Sequence, residues 1–234
     1  MAVIVGTSGY SYKEWKGTFY PSDLPAAKML PFYAQHFGSV EINNTFYRMP
    51  AASMVEKWAS EVPDGFRFVL KAPQRITHIK RLKDVEDELR YFLEMASLLG
   101  SKLGPLLFQL PPNMKKDAAK LRDFLTLIPH DWRVALEVRN ASWLDDEVYA
   151  LLRTHNVPLC LSDTDEVADP DALIVQTATW GYLRLRRTDY SDEQLADWAR
   201  RVNAQGWSDA FVFFKHEDEG KGPVFAKRFL AALR

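Results

Sequence analysis

The chain has 234 residues, 47% hydrophobic and 26% charged, with a formal net charge of −1. That supports one sizeable core and lacks the basic excess of a broad duplex-binding face, so no duplex nucleic acid is expected as a partner. The single cysteine, Cys160, excludes an internal disulfide, no apolar run approaches a membrane span, and Met1–Gly6 is too short for a signal peptide's apolar region; a cytoplasmic location and no membrane partner are expected.

The first extended run, Val3–Ser8, leads through an aromatic loop (Tyr10, Tyr12, Trp15, Phe19, Tyr20) to a helix over Ala26–Phe37. The pattern repeats as strand Ser39–Tyr47 with helix Ala51–Glu61, then Arg67–Ala72 with Asp84–Leu99. Pro105–Leu110 with Asp117–Ile128 and Arg133–Arg139 with Ser142–His155 follow. The sixth run, Pro158–Asp163, has no clear helix after it; Asp169-Pro170-Asp171 opens the connection, and Leu173–Thr177 reads as a short helix or an extended piece. Gly181–Arg186 with Ser191–Gln205 and Ala210–His216 with Pro223–Leu233 complete the series, Ser191 and Gln194 marking a helix start.

Alternating strands and helices imply a parallel sheet, closed as a barrel or open and doubly wound. An open sheet normally carries a three-glycine turn after its first strand, and Gly6-Thr7-Ser8-Gly9 lacks that fingerprint. Eight units without a break in composition predict one α/β domain over residues 1–234: a (β/α)₈ TIM barrel whose helix after strand six is short or missing.

In a barrel strand, alternate side chains pack under the helices and fill the interior. Val134, Leu136 and Val138 make an apolar outer face, which turns Ala135, Glu137 and Arg139 inward. Val40 and Ile42 likewise leave Glu41 and Asn43 inside, and Leu183 and Leu185 leave Tyr182, Arg184 and Arg186. The same rule predicts Lys71, Gln109 and Asp163 inward at the ends of strands three, four and six; in strand eight either Lys215 or His216 faces the interior. All of these cluster at the carboxyl ends, where barrel active sites lie.

Three carboxylates, Glu41, Glu137 and Asp163, are thus expected beside Lys71, Arg139, Arg184 and Arg186. Buried charges demand partners, so Glu137 with Arg139, or Glu41 with Arg184, also reads as a satisfied structural pair. Carboxylates in such company serve as acids or bases, and guanidinium groups match phosphate or carboxylate oxygens. The expectation is therefore acid–base chemistry by Glu41, Glu137 and Asp163. The partner is a small anionic, phosphorylated or sugar-like molecule contacted by Asn43, Lys71, Gln109, Arg139, Arg184, Arg186 and His216. Tyr10 and Tyr12 are the loop rings nearest the strand end and are expected to contact the ligand, the other aromatics to pack the loop. Gly220-Lys221-Gly222-Pro223 opens the last helix and offers a phosphate position, opposed by Glu217, Asp218 and Glu219.

No cofactor motif is visible, which leaves hydrolysis or lyase chemistry and no expected cofactor or metal. No histidine–carboxylate motif of the metalloprotease kind occurs, although His78 or His216 would serve a rival reading, a metal-dependent hydrolase of nucleotides or nucleic-acid ends. Cys160, opposite in parity to Asp163, reads as packing, and a non-enzymatic binding module is the second rival.

Several longer motifs carry a resemblance. Gly6-Thr7-Ser8-Gly9-Tyr10-Ser11-Tyr12, Trp15-Lys16-Gly17 and Phe19-Tyr20-Pro21 open the chain; Val40-Glu41-Ile42-Asn43-Asn44-Thr45-Phe46-Tyr47-Arg48, Lys71-Ala72-Pro73, Ile76-Thr77-His78, Gln109-Leu110-Pro111-Pro112 and Glu137-Val138-Arg139 follow. This series resembles the YecE-like family, domain of unknown function seventy-two. The resemblance implies a TIM barrel and almost nothing about substrate. The chain departs from the family pattern at Asn140 and Arg186, where histidine is frequent, and at Lys215-His216, where asparagine commonly ends strand eight. If those positions serve chemistry in relatives, a different substrate or loss of their activity is implied.

Overall fold

A computed structural model describes residues 1–216 and 220–233. Eight parallel strands form one sheet: β1 Ala2–Ser8, β2 Ser39–Ile42, β3 Arg67–Lys71, β4 Leu103–Gln109, β5 Val134–Glu137, β6 Leu161–Asp163, β7 Gly181–Leu185 and β8 Asp209–Phe214. The spatial order is β5-β4-β3-β2-β1-β8-β7-β6. The ends meet through one bridge, Leu136 to Leu159, with Leu136 donating to Pro158 and Cys160 donating to Leu136. The result is a nearly closed barrel, the expected TIM-barrel architecture.

Helices α1 Met29–Tyr33, α2 Ala52–Ser60, α3 Glu86–Ser97, α4 Ala118–Thr126, α5 Asp146–Thr154, α6 Asp192–Ala204 and α7 Lys221–Ala232 lie between or after the strands. The connection from β6 to β7 holds only a 3₁₀ turn, Pro170–Leu173, in agreement with the missing sixth helix. Other boundaries moved for local reasons. The helix expected from Ser142 begins instead at Asp146, because Asp145 caps it and Asn140 holds the preceding residues in a 3₁₀ turn. Strand two ends at Ile42, not Tyr47, since Asn44–Phe46 turns into a 3₁₀ helix. The Ser191–Gln194 capping box forms as its spacing predicts.

The alternation sorts two cores. Val40, Ile42, Leu136, Leu183 and Leu185 join the large outer core beneath the helices. Val69, Leu107, Ala135, Cys160, Trp180, Tyr182, Phe211 and Phe213 fill the barrel interior. The amino-terminal end is closed by Arg133, which forms a two-pronged pair with Asp209 and lies 4.1 Å from the Trp180 ring centroid. Gly6 allows β1 and β2 to approach: a Cβ there would stand 2.0 Å from the Ser39 carbonyl oxygen. With the floor shut by rings, polar groups are left to the carboxyl end. Among the described residues, no helix is long and apolar enough to cross a membrane.

Candidate functional site at the carboxyl end of the barrel

Five strand residues reach the interior as the alternation predicts, because each pairs in register with an interior neighbour. Glu41 stands beside Val69, Lys71 beside Leu107, Gln109 beside Glu137, and Arg184 beside Phe213. Asn43, Arg139 and Arg186 follow one or two residues past their strands and complete the group.

At its centre is a fully buried ion triad. Arg184 donates through Nη2 to Glu41 Oε1 at 2.8 Å and through Nη1 to Glu137 Oε2 at 2.6 Å. Both carboxylates are held further. Glu41 accepts from Ser8 Oγ at 2.7 Å, Tyr182 Oη at 2.6 Å and Asn43 Nδ2 at 3.2 Å. Glu137 Oε1 faces Arg139 Nε at 3.4 Å and Arg186 Nη1 at 3.6 Å. Burial opposes ionisation of Glu137, but Arg184, Arg139, Gln109 and Arg186 outweigh it and bring its pKa down to about 2. Glu41 is lowered as well: burial again works against it, and Arg184, Tyr182 and Ser8 prevail. The structural pairing read from the sequence is thus present, with Arg184 serving both carboxylates.

The rim differs. Lys71 donates to Gln109 Oε1 at 2.9 Å and lies 4.1 Å from the Phe46 ring centroid. Burial, then the nearby Arg184 charge, lowers its pKa to about 8. Arg186 also approaches Ser162 Oγ at 3.4 Å, and burial lowers its pKa. Among the described residues, buried Asn43 Oδ1 and Arg186 Nε have no hydrogen-bonding partner. Beside Asn43 a cleft of about 290 Å³ is lined by Tyr10, Tyr12, Asn44, Met54 and Trp58. Trp15, Phe19 and Tyr20 are buried instead, so the loop divides as expected into two lining rings and a packed remainder.

Two expected members are elsewhere. Asp163 pairs in register with Leu185 of the outer core, so its side chain points beneath α6 and not into the mouth. There it accepts from Arg187 Nε at 2.8 and 2.9 Å, Tyr190 Oη at 2.9 Å and Trp198 Nε1 at 2.9 Å. Leu161, two residues earlier on the same strand, joins the outer core, so alternation itself turns Asp163 outward and leaves Ser162 inward beside Arg184; the inward expectation for Asp163 ran against that parity. His216 lies beyond β8, donates through Nε2 to the Arg187 carbonyl, and packs on Phe225 and Tyr190. Its ring belongs to the layer between barrel and helices, and its assignment as a ligand contact is corrected.

The other expectations resolve similarly. Gly220 and Gly222 are buried where α7 begins: a Cβ on Gly220 would meet Thr18, and one on Gly222 the His216 carbonyl and the Trp15 side chain. That turn is packed beneath the first loop, away from the mouth; Glu217, Asp218 and Glu219 lie outside the described residues. His78 packs on Phe46 at the rim, far in role from His216, and among the described residues no group of three or more His, Cys, Asp or Glu side chains is placed to hold a metal ion. Cys160 is in the interior core, where burial raises its thiol pKa well above the ordinary value. Asn140, at one of the departures from the family pattern, accepts from Ser142 N and donates to the Pro112 carbonyl, tying two loops together.

Sequence reasoning gave Ser8 and Phe46 no role, and it missed Arg187. Ser8 shares the parity of Gly6 and could have been found from β1 alone; Arg187 falls after its strand, where parity carries no information.

Comparison with known proteins agrees with this architecture. A DUF72 family protein from Thermotoga maritima superposes with a TM-score of 0.87 at 26% identity, covering 100% of this chain and 99% of that one. A DUF72 family protein from Enterococcus faecalis gives 0.80 at 20% identity, over 99% and 95%. In sequence, UPF0759 protein YunF of Bacillus subtilis is 25% identical across 99% of this chain and 94% of its own length. UPF0759 protein YecE of Escherichia coli is 30% identical over 59% of this chain and 48% of its length. The family described as "Protein of unknown function DUF72" matches residues 4–234, and the chain belongs to that family.

Proposed function

We propose that the protein is an enzyme of hydrolase or lyase type acting on a small anionic, phosphorylated or sugar-like molecule at the carboxyl end of the barrel. The observation that supports this reading is the local charge balance. Glu41 and Glu137 face three arginines, Arg184, Arg139 and Arg186, with the Lys71 amine beside them, which leaves a positive excess at the carboxyl end of the barrel. Moving Asp163 out of the mouth enlarges that excess. Both carboxylates already accept bonds from protein donors, and a pKa near 2 makes Glu137 a poor proton donor at neutral pH. Their role in this reading is to position Arg184 and the rim arginines, while Arg139 and Arg186 hold the anion. Tyr10, Tyr12 and Asn43 border the cleft that receives the rest of the molecule.

The test is thermal denaturation with inorganic phosphate and a panel of phosphorylated sugars. Wild type is expected to gain stability with added anion, since a ligand that binds only the folded state raises Tm. Arg139→Gln with Arg186→Gln is expected to lose most of that gain while remaining folded. An unchanged anion response in the double variant removes the proposal. Binding without conversion of any bound candidate supports the non-enzymatic alternative.

A further inference from the structure

Lys71 differs from the half-buried lysines that have acidic partners. Lys80 and Lys116 are paired with Glu88 and Asp145, and Lys102 donates to two backbone carbonyls as well as facing Asp64. Among the described residues, Lys71 makes no ion pair; its partners are the neutral Gln109 amide and the face of Phe46. It stands on the last residue of β3, directed into the mouth, where barrel chemistry is carried. Its partner Gln109 stands in register beside Glu137, which in turn faces Arg139 and Arg186. His78 packs against the same Phe46 ring, with centroids 4.8 Å apart.

A structural ammonium group is normally given a carboxylate or several carbonyl acceptors. Here burial and the nearby Arg184 and Arg139 guanidinium groups outweigh Glu137 and Glu41 and bring the pKa down to about 8, so the amine gives up its proton far more readily than an ordinary lysine. His78 is shifted the same way, by burial and then by Lys71, and provides an uncharged imidazole near the amine. A lysine amine that loses its proton near pH 8, beside arginines able to hold an anion, is the arrangement needed for covalent capture of a carbonyl compound.

We propose that Lys71 is a nucleophile that forms an imine with a small anionic aldehyde or ketone, whose phosphate or carboxylate is held by Arg139 and Arg186. This deepens the anion-binding reading above and rests on it. The Nζ lone pair attacks the carbonyl carbon, forming a C–N bond as the carbonyl π electrons move to oxygen, which takes up a proton. Nζ loses one proton, the carbinolamine oxygen takes another and departs as water, and the C=N bond forms. Because Nζ keeps its second proton, the product is an iminium group, which withdraws electrons from the neighbouring carbon. His78 is placed to relay these protons. No oxidant, reductant or further reactant is required, and an iminium electron sink accords with lyase chemistry.

The experiment is reductive trapping on the full chain. Protein is incubated with pyruvate, dihydroxyacetone phosphate or acetone, then with sodium cyanoborohydride, and the modified lysines are located by peptide mass mapping. Lys71 is expected to be labelled by the two anionic carbonyls more than about tenfold above any other lysine, faster as pH rises through 8. Inorganic phosphate is expected to protect it, and Arg139→Gln with Arg186→Gln to slow trapping of the anionic compounds but not of acetone. Mapping unmodified protein makes the result independent of whether Lys71→Met folds. Labelling spread evenly over the lysines, or absent at Lys71, overturns the imine. If phosphate still stabilises the protein in that case, the anion-binding reading stands alone; if it does not, both fall.

Discussion

The molecule contains two buried carboxylate–arginine clusters at strand ends, and they differ in the charges gathered around them. Glu41, Arg184 and Glu137 sit inside the barrel, and their outermost contacts, Arg139 and Arg186, remain partly exposed. Asp163 and Arg187 sit on the other side of the wall, where Asp163 accepts from Tyr190 and Trp198, and Arg187, Tyr190 and Trp198 border a separate cleft of about 240 Å³. Each satisfies its buried charges with tyrosine and arginine donors. A buried ion pair at the end of a barrel strand therefore does not by itself mark a functional centre. The distinguishing feature is charge balance: around Glu41 and Glu137 stand Arg184, Arg139 and Arg186 with the Lys71 amine nearby, whereas, among the described residues, Asp163 is paired with Arg187 alone.

The most severe way to break the comparison is Arg184→Met. It strands two carboxylates in the interior, and a loss of about 3–5 kcal/mol is expected in denaturant unfolding. Adding Glu41→Gln and Glu137→Gln is expected to restore much of that loss, because the remaining groups are uncharged. A triple variant no more stable than Arg184→Met would mean that packing by Arg184, not its charge, holds the barrel top.

Asp163→Asn tests the outer cluster. Three donors converge on this carboxylate, and removing its charge is expected to cost about 1.5–3 kcal/mol. The response to phosphate should stay at the wild-type level, since the side chain does not reach the mouth. Loss of the phosphate response in a protein that remains folded would erase the distinction between the two clusters.

The smallest effect concerns Lys71. Its folded pKa of about 8 lies below the ordinary 10.5, so the unfolded chain holds more protons between those values. Stability attributable to this group then rises with pH across that window, by about 1–2 kcal/mol after allowance for solvent reaching the half-buried amine. Lys71→Met is expected to flatten that rise in thermal scans; an unaltered slope would show that the amine is not desolvated in the folded state.

The inner cluster was readable in advance only where apolar neighbours betrayed the phase of a strand. Val40 and Ile42 around Glu41, and Leu183 and Leu185 around Arg184, leave one inward choice for each charge. In strand six Leu161 supplies the same reference and gives Asp163 the outward phase, against the inward expectation, and His216 lies past its strand, where alternation ceases to constrain direction. Asn43, Arg139 and Arg186 also lie past theirs, and their convergence on the mouth depends on loop paths.

The amino-acid order by itself determined the number of strand–helix units, the gap after strand six, the capping of α6 and the inward set Glu41, Lys71, Gln109, Glu137 and Arg184. These are local or periodic properties, carried by each segment wherever it sits. Tertiary structure alone decided that Arg184 bridges two carboxylates from strands far apart in the chain, that Asp163 meets Trp198 of α6, and that Lys71 meets an amide and a ring in place of an acid. Those outcomes depend on the register in which eight strands close around one axis, and each strand's own sequence is silent on the partner it will meet across the barrel.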